Sequence, residues 1–276
     1  MKTIKFAVAV AALAFAGCRS APPAAPEAPP PELVSQDLDV TQSLTSFKLS
    51  VNGEVKSEAA ATVEQAKWEM VVEGKVVKSG EMPLNVAIPA GGTAPFSVHA
   101  EGQYVSSPEE LKALSDNGGS ILTALRGDLI VKTASGKTVT VPFARSRDIR
   151  TPRLPRVTMH ELDAARYSDR EANIFFRIGV VNPNPFPLRI GALDFKAEVA
   201  GKQVAEGTRG QGDTIDAAAT GIYEVQQSVN EETHGPDIKK LIKGQLLPWR
   251  ITGVLKGELF EVPVNLEGTV KLNVSQ

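Results

Sequence analysis

Ile174-Phe175-Phe176-Arg177-Ile178-Gly179-Val180-Val181 runs directly into Asn182-Pro183-Asn184-Pro185-Phe186-Pro187-Leu188, and this junction decides how the chain is read. The first stretch alternates Ile174, Phe176, Ile178 and Val180 with Arg177 and Gly179, the period of a half-buried strand. The second carries three prolines at alternate positions, which have no backbone donor and end any helix or central strand. Each of Asn182, Asn184 and Phe186 precedes a proline and is held to extended angles. The segment is expected to be a rigid, extended break at a sheet edge, structural rather than catalytic, with Phe186 and Leu188 turned inward.

Outward from there the same period recurs. Leu193, Phe195, Ala197 and Val199 alternate with Asp194, Lys196 and Glu198 before Ala200-Gly201 turns the chain. A shift of 127 residues superimposes an earlier stretch on this one. Val72, Gly74, Lys75, Val77 and Gly80 fall on Val199, Gly201, Lys202, Val204 and Gly207, and Trp68 falls on Phe195. Phe47, Leu49 and Val51 fall on Ile174, Phe176 and Ile178, so the apolar parity matches as well. The chain therefore reads as two related domains, 37–150 and 151–276, joined by a short arginine- and proline-bearing linker from Ser146 to Pro155. One helix is expected in each. Ser107-Pro108-Glu109-Glu110 has the features of a capping box, and Gly235-Pro236-Asp237 opens a second helix with Ile238, Leu241 and Ile242 as its apolar face and Gly244 as its stop. Strands are expected over 128–132 with 137–143, then from 251 to 259 running on through Val262 and Val264, with a last strand over 269–274. The proline segment itself is not duplicated: its counterpart is Val55-Lys56-Ser57-Glu58-Ala59-Ala60-Ala61, so the first domain is a diverged copy.

The strand followed by Val181-Asn182-Pro183-Asn184-Pro185-Phe186-Pro187-Leu188 resembles the late embryogenesis abundant (LEA) type 2 family, also called the water-stress and hypersensitive-response domain. The resemblance implies a mostly β protein of two tandem antiparallel β-sandwich domains, similar to fibronectin type III modules, each with one short helix. It also implies a link to desiccation and stress tolerance. Such domains have no known enzymatic residues, so none is carried over.

Ahead of the domains, Lys2 and Lys5 precede an apolar run from Phe6 to Ala16, too short to span a bilayer and suited to a signal peptide over 1–17. Ala16-Gly17-Cys18 resembles a lipobox whose cysteine is lipidated. The plainer alternative is a secretory leader with a cysteine beside it. Cys18 is the sole cysteine, so no intrachain disulfide is expected. Residues 18–36, with Pro22, Pro23, Pro26, Pro29, Pro30 and Pro31, read as a polyproline spacer. About a dozen such residues would hold the first domain roughly 35–40 Å from the lipid. The expected location is the bacterial envelope, lipid-anchored, at the outer membrane facing the periplasm, since Arg19 rather than Asp follows the cysteine.

Motifs for chemistry are sparse. Ser135-Gly136-Lys137-Thr138 ends like a phosphate-binding loop but has Val131 where the first glycine belongs, and reads as a hairpin turn. His99, His160 and His234 are scattered and have no metal-ligand spacing. No Gly-x-Ser-x-Gly elbow occurs. Acidic residues number 32 against 30 Lys plus Arg, giving a formal charge of −2 that disfavours nucleic acid, and 5% aromatic content disfavours stacking platforms for bases or sugars. No catalytic, cofactor or metal residue is expected, and no small-molecule substrate. The partners expected are the membrane, through the anchor, and client or other envelope proteins; the rival reading is an assembly factor with one specific envelope partner.

Overall fold

The computed structural model describes residues 28–166, 168 and 170–271. In chain order its first half contains β1 (Glu32–Gln42), β2 (Ser46–Ser57), β3 (Ala61–Val72), β4 (Lys75–Ile88), β5 (Gly92–Gln103), α1 (Pro108–Asn117), β6 (Ser120–Thr133) and β7 (Thr138–Arg150). The second half contains β8 (Arg156–Arg166), β9 (Glu171–Val181), β10 (Leu188–Arg189), β11 (Ala192–Val199), β12 (Lys202–Arg209), β13 (Thr214–Ile215) and β14 (Thr220–Asn230). It closes with α2 (Glu231–His234), α3 (Asp237–Ile242), β15 (Leu247–Lys256) and β16 (Glu261–Val270).

The halves are built alike. Sheet β1-β2-β5 faces sheet β4-β3-β6-β7, and sheet β8-β9-β14 faces sheet β12-β11-β15-β16, every pairing antiparallel. Burial follows the alternation. Ala172, Ile174, Phe176, Ile178 and Val180 are all wholly buried along β9, and Phe47, Leu49 and Val51 fill the matching places on β2. Side chains of one parity from each sheet thus meet in the middle of a sandwich.

Backbone conformation repeats with the same 127-residue period. Positive φ occurs at Glu73, Gly74, Asn85 and Gly91, and again at Ala200, Gly201, Gly212 and Ala218. Trp68 pairs with Gly80 on one side and Gly127 on the other, while Phe195 pairs with Gly207 and Gly253. A Cβ on Gly127 would run into the carbonyl of Lys67, and one on Gly253 into that of Asp194, so both copies need glycine for the same close strand approach. Both rings face their cores: Phe195 is buried and Trp68 half-buried.

The copies differ where the proline segment lies. In the first, β3 and β4 are long and run through an irregularity: Glu64 is an extra residue against β6, and β4 places Leu84 and Asn85 opposite it. In the second the corresponding strands break at Ile190-Gly191 and at residues 210–213, leaving the short ribbon β10-β13 with Leu188 opposite Ile215, as Ala61 lies opposite Ile88. β9 stops at Val181, whereas β2 continues to Ser57, three places beyond the counterpart of Val181. Prolines that cannot donate to the ladder account for the shorter strand.

Several expectations need correction. β1 begins at Glu32, inside the stretch read as spacer, and β7 continues to Arg150, so only residues 151–155 join the copies. The second copy has two short helices rather than one, because Asn230 caps Glu231–His234 before Gly235 stops it and Pro236 restarts the chain. Residues 247–270 form a hairpin, with a turn at 257–260 where a continuous strand was expected. Of the expected last strand, residues 272–274 lie outside the described residues, as do residues 1–27.

Candidate functional site

The proline segment leaves a central strand, not a sheet edge. Val181 pairs with Arg156 on β8 and with Thr220 on β14, so β9 has neighbours on both sides. Beyond it, the buried side chains of Asn182 and Asn184 organise the turn. Asn182 Nδ2 donates to the carbonyl oxygens of Phe186 at 2.8 Å, Asp216 at 2.9 Å and Ile215 at 3.2 Å. Its Oδ1 accepts from Asn184 N and Nδ2, each at 3.0 Å. One carboxamide thus satisfies three backbone carbonyls, offsetting the cost of its own burial. Phe186 and Leu188 turn inward as expected.

Beside this turn lies the largest groove among those described, about 990 Å³, bounded by α1, residues 153–156 and the turn joining β15 to β16. Leu154, Phe260, Val262 and Pro183 give it apolar surface, and Lys112 and Glu261 bring charge to its rim. α1 is set by its cap: Ser107 Oγ accepts from Glu110 N at 3.2 Å, with Pro108 in the first turn. The reciprocal contact of a capping box is displaced by one residue, because the Glu110 carboxylate accepts from Ser106 N at 2.7 Å and Ser106 Oγ at 3.0 Å. Those donors hold the Glu110 carboxyl below its usual range.

Other candidates have structural roles. Ser135-Gly136-Lys137-Thr138 is the β6–β7 turn, with Gly136 N donating to Thr133 O at 2.8 Å. His99 and His160 are exposed on strands, and His234 ends α2 with Nδ1 2.6 Å from Thr233 Oγ1. Among the described residues no three His, Cys, Asp or Glu side chains are grouped to hold a metal. Arg177 lies between Glu161 and Glu224 on neighbouring strands. Asp194 is held below its usual range by Lys256 at 2.8 Å and by Thr208, and Asp237 by Lys240 at 2.8 Å. Burial pushes the hydroxyls of Tyr104 and Tyr223 up to about 12. Cys18 lies outside the described residues. Arg153 bonds Asn184 through both its N–H and its carbonyl, and Leu154 N donates to Ser115 Oγ; these contacts were not legible in the sequence, where the signal for the first was a pair of amides set among prolines and apolar residues.

Two antiparallel sandwiches of three and four strands, the second with a buried Asn-Pro turn, define a class of β-sandwich protein built by duplication. The chain belongs to the late embryogenesis abundant protein family: the LEA_2 family model matches residues 56–147 and 177–270, once in each copy. The family points to a stress-related or still unknown role of non-enzymatic kind. None of the curated proteins matches the chain in sequence. Among solved structures it is similar to a protein from Archaeoglobus fulgidus, 14% identical, covering 43% of this chain and 99% of that one with a TM-score of 0.29. It is also similar to a putative beta-galactosidase from Bacteroides fragilis, 12% identical, covering 79% of this chain and 32% of that one at a TM-score of 0.29. A GH2 beta-galacturonidase from Eisenbergiella tayi is 11% identical, covering 82% of this chain and 35% of that one at 0.27. The chain spans about a third of the length of these two glycosidases, and at such scores the likeness carries no functional argument.

Proposed function

We propose that the protein is a non-enzymatic protective protein of the bacterial envelope, tethered by lipid on Cys18. Its two sandwiches limit damage to neighbouring proteins or membrane components through surface contact during drying, freezing or heating. The family match in both copies is the observation that carries this reading. The electrostatics support it. Among the described residues, the carboxyl groups whose ionisation is shifted, Glu110, Asp194 and Asp237, are moved down by a donor or cation, as in a structural pair; a general acid is moved up. The test is to dry a labile enzyme with the purified protein and assay recovered activity. Greater recovery than with an unrelated β-sandwich protein of equal mass is expected, and equal recovery overturns the proposal. For the tether, Cys18→Ala should release folded protein into the soluble envelope fraction; equal incorporation of labelled palmitate by the variant refutes lipidation.

The apolar wall of the groove favours a second reading, an assembly protein with one specific envelope partner. Crosslinking in cells separates the two, since protection by surface contact gives many products and an assembly role one stoichiometric product.

A further inference from the structure

The five residues between the sandwiches leave no backbone donor unpaired. Pro152 and Pro155 have none to offer, and the remaining three are taken in turn by the two copies. Thr151 N donates to Gly119 O of the first copy at 3.1 Å, reinforced by Thr151 Oγ1 on the same oxygen. Arg153 N donates at 2.8 Å to Asn184 Oδ1 of the second copy, and Arg153 O accepts from Asn184 Nδ2 at 2.8 Å. Leu154 N returns to the first copy, donating to Ser115 Oγ at 2.9 Å. Buried side chains extend the tie: Val105 and Leu111, from the first copy, belong to the apolar cluster of the second, and Leu154 packs against it.

We propose that the Asn-Pro segment is a latch that grips the incoming chain and locks the two sandwiches into one rigid body. Asn184 presents its carboxamide as a strand edge would, an acceptor and a donor side by side, and so binds both polar groups of one residue, Arg153. Asn182 sets that amide by accepting from both Asn184 N and Nδ2, while Pro183 and Pro185 restrict the backbone on either side of Asn184. The latch accounts for the asymmetry between copies. At the places of Asn182 and Asn184 the first copy has Val55, buried without polar atoms, and Ser57, whose hydroxyl is used locally on Ala59 O at 2.6 Å. Neither can grip a peptide group from an incoming segment. The groove beside α1 is then a cleft of fixed width between two immobile walls.

The experiment uses the full chain. Hydrogen exchange should show the Arg153 and Leu154 amides protected, and trypsin should cut slowly after Arg153 although its side chain is exposed. Asn184→Ala removes two hydrogen bonds to the connector and should speed that cleavage roughly ten- to a hundredfold, with an increase in the X-ray scattering radius and no change in strand content. Ser115→Ala removes one bond without touching the second core and should speed the same cleavage by a smaller factor; it decides the matter if Asn184→Ala unfolds the second copy. A wild-type Arg153 amide that exchanges like an open peptide, or connector cleavage unchanged in a folded Asn184→Ala or Ser115→Ala variant, overturns the latch.

Discussion

Trp68 and Phe195 hold equivalent places, yet their chemistry differs by one donor. The indole Nε1 of Trp68 is buried without a hydrogen-bond partner, a cost that a phenyl ring does not carry. Trp68→Phe is therefore expected to be neutral or stabilising in chemical denaturation. Phe195→Ala should cost about 3–5 kcal/mol and Trp68→Ala less, the ring being only half-buried. The glycines opposite these rings have the reverse sensitivity. Gly127→Ala or Gly253→Ala forces a methyl into the neighbouring strand's carbonyl and should lower stability by about 1–3 kcal/mol, read as a shift in urea midpoint. The aromatic equivalence was legible because both residues lie in matching apolar phase at one offset. Gly253 was not, since it equates with Gly127 only through strand pairing and not at the common offset.

At the scale of elements, the β3–β4 and β11–β12 turns show how far local pattern reaches. Gly74 and Gly201 have the positive φ that glycine adopts freely in a two-residue turn, but so do Glu73 and Ala200 before them. A two-residue turn with both angles positive prefers Asn first, so Ala200→Asn should raise the thermal midpoint, worth about 0.5–1 kcal/mol. The proline segment was read as an extended piece guarding an edge, whereas it bends at 184–186 beyond a central strand: alternation along one strand does not say whether it has one neighbour or two. Replacing Pro183, Pro185 and Pro187 together by Ala should then destabilise by about 1–3 kcal/mol through the freer unfolded chain. Because β8 and β14 already cover β9, light scattering should detect no new self-association. The second copy's helix was placed by Gly235-Pro236; the turn before it was missed although Asn230 and Thr233 have capping spacing, because a single turn leaves no apolar period to read.

Across the whole molecule, Tyr104 touches both apolar clusters and accepts from Gln42 Nε2 at 2.7 Å. Its hydroxyl ionises at about 12 in the folded protein against 10.0 ordinarily, and Tyr223 does likewise. For an acid whose folded value is raised, the stabilisation is complete below pH 10.0 and lost as pH climbs toward about 12, because the unfolded chain gives up its proton first. Denaturant midpoints should fall across that window, and less steeply in Tyr104→Phe. Sequence by itself determined the duplication, the strand phases, the capped first helix and the family, because alternation, turn glycines and capping residues act over a few neighbours and leave their period in the chain. Tertiary structure alone decided that β9 is central, that the first copy's helix lies against the second core, and that Asn184 grips Arg153. Each of these depends on a contact between residues about thirty or more apart with no shared local pattern, for β9 its pairing with β14, and a buried amide shows its purpose only when the carbonyl and N–H it serves are brought to it.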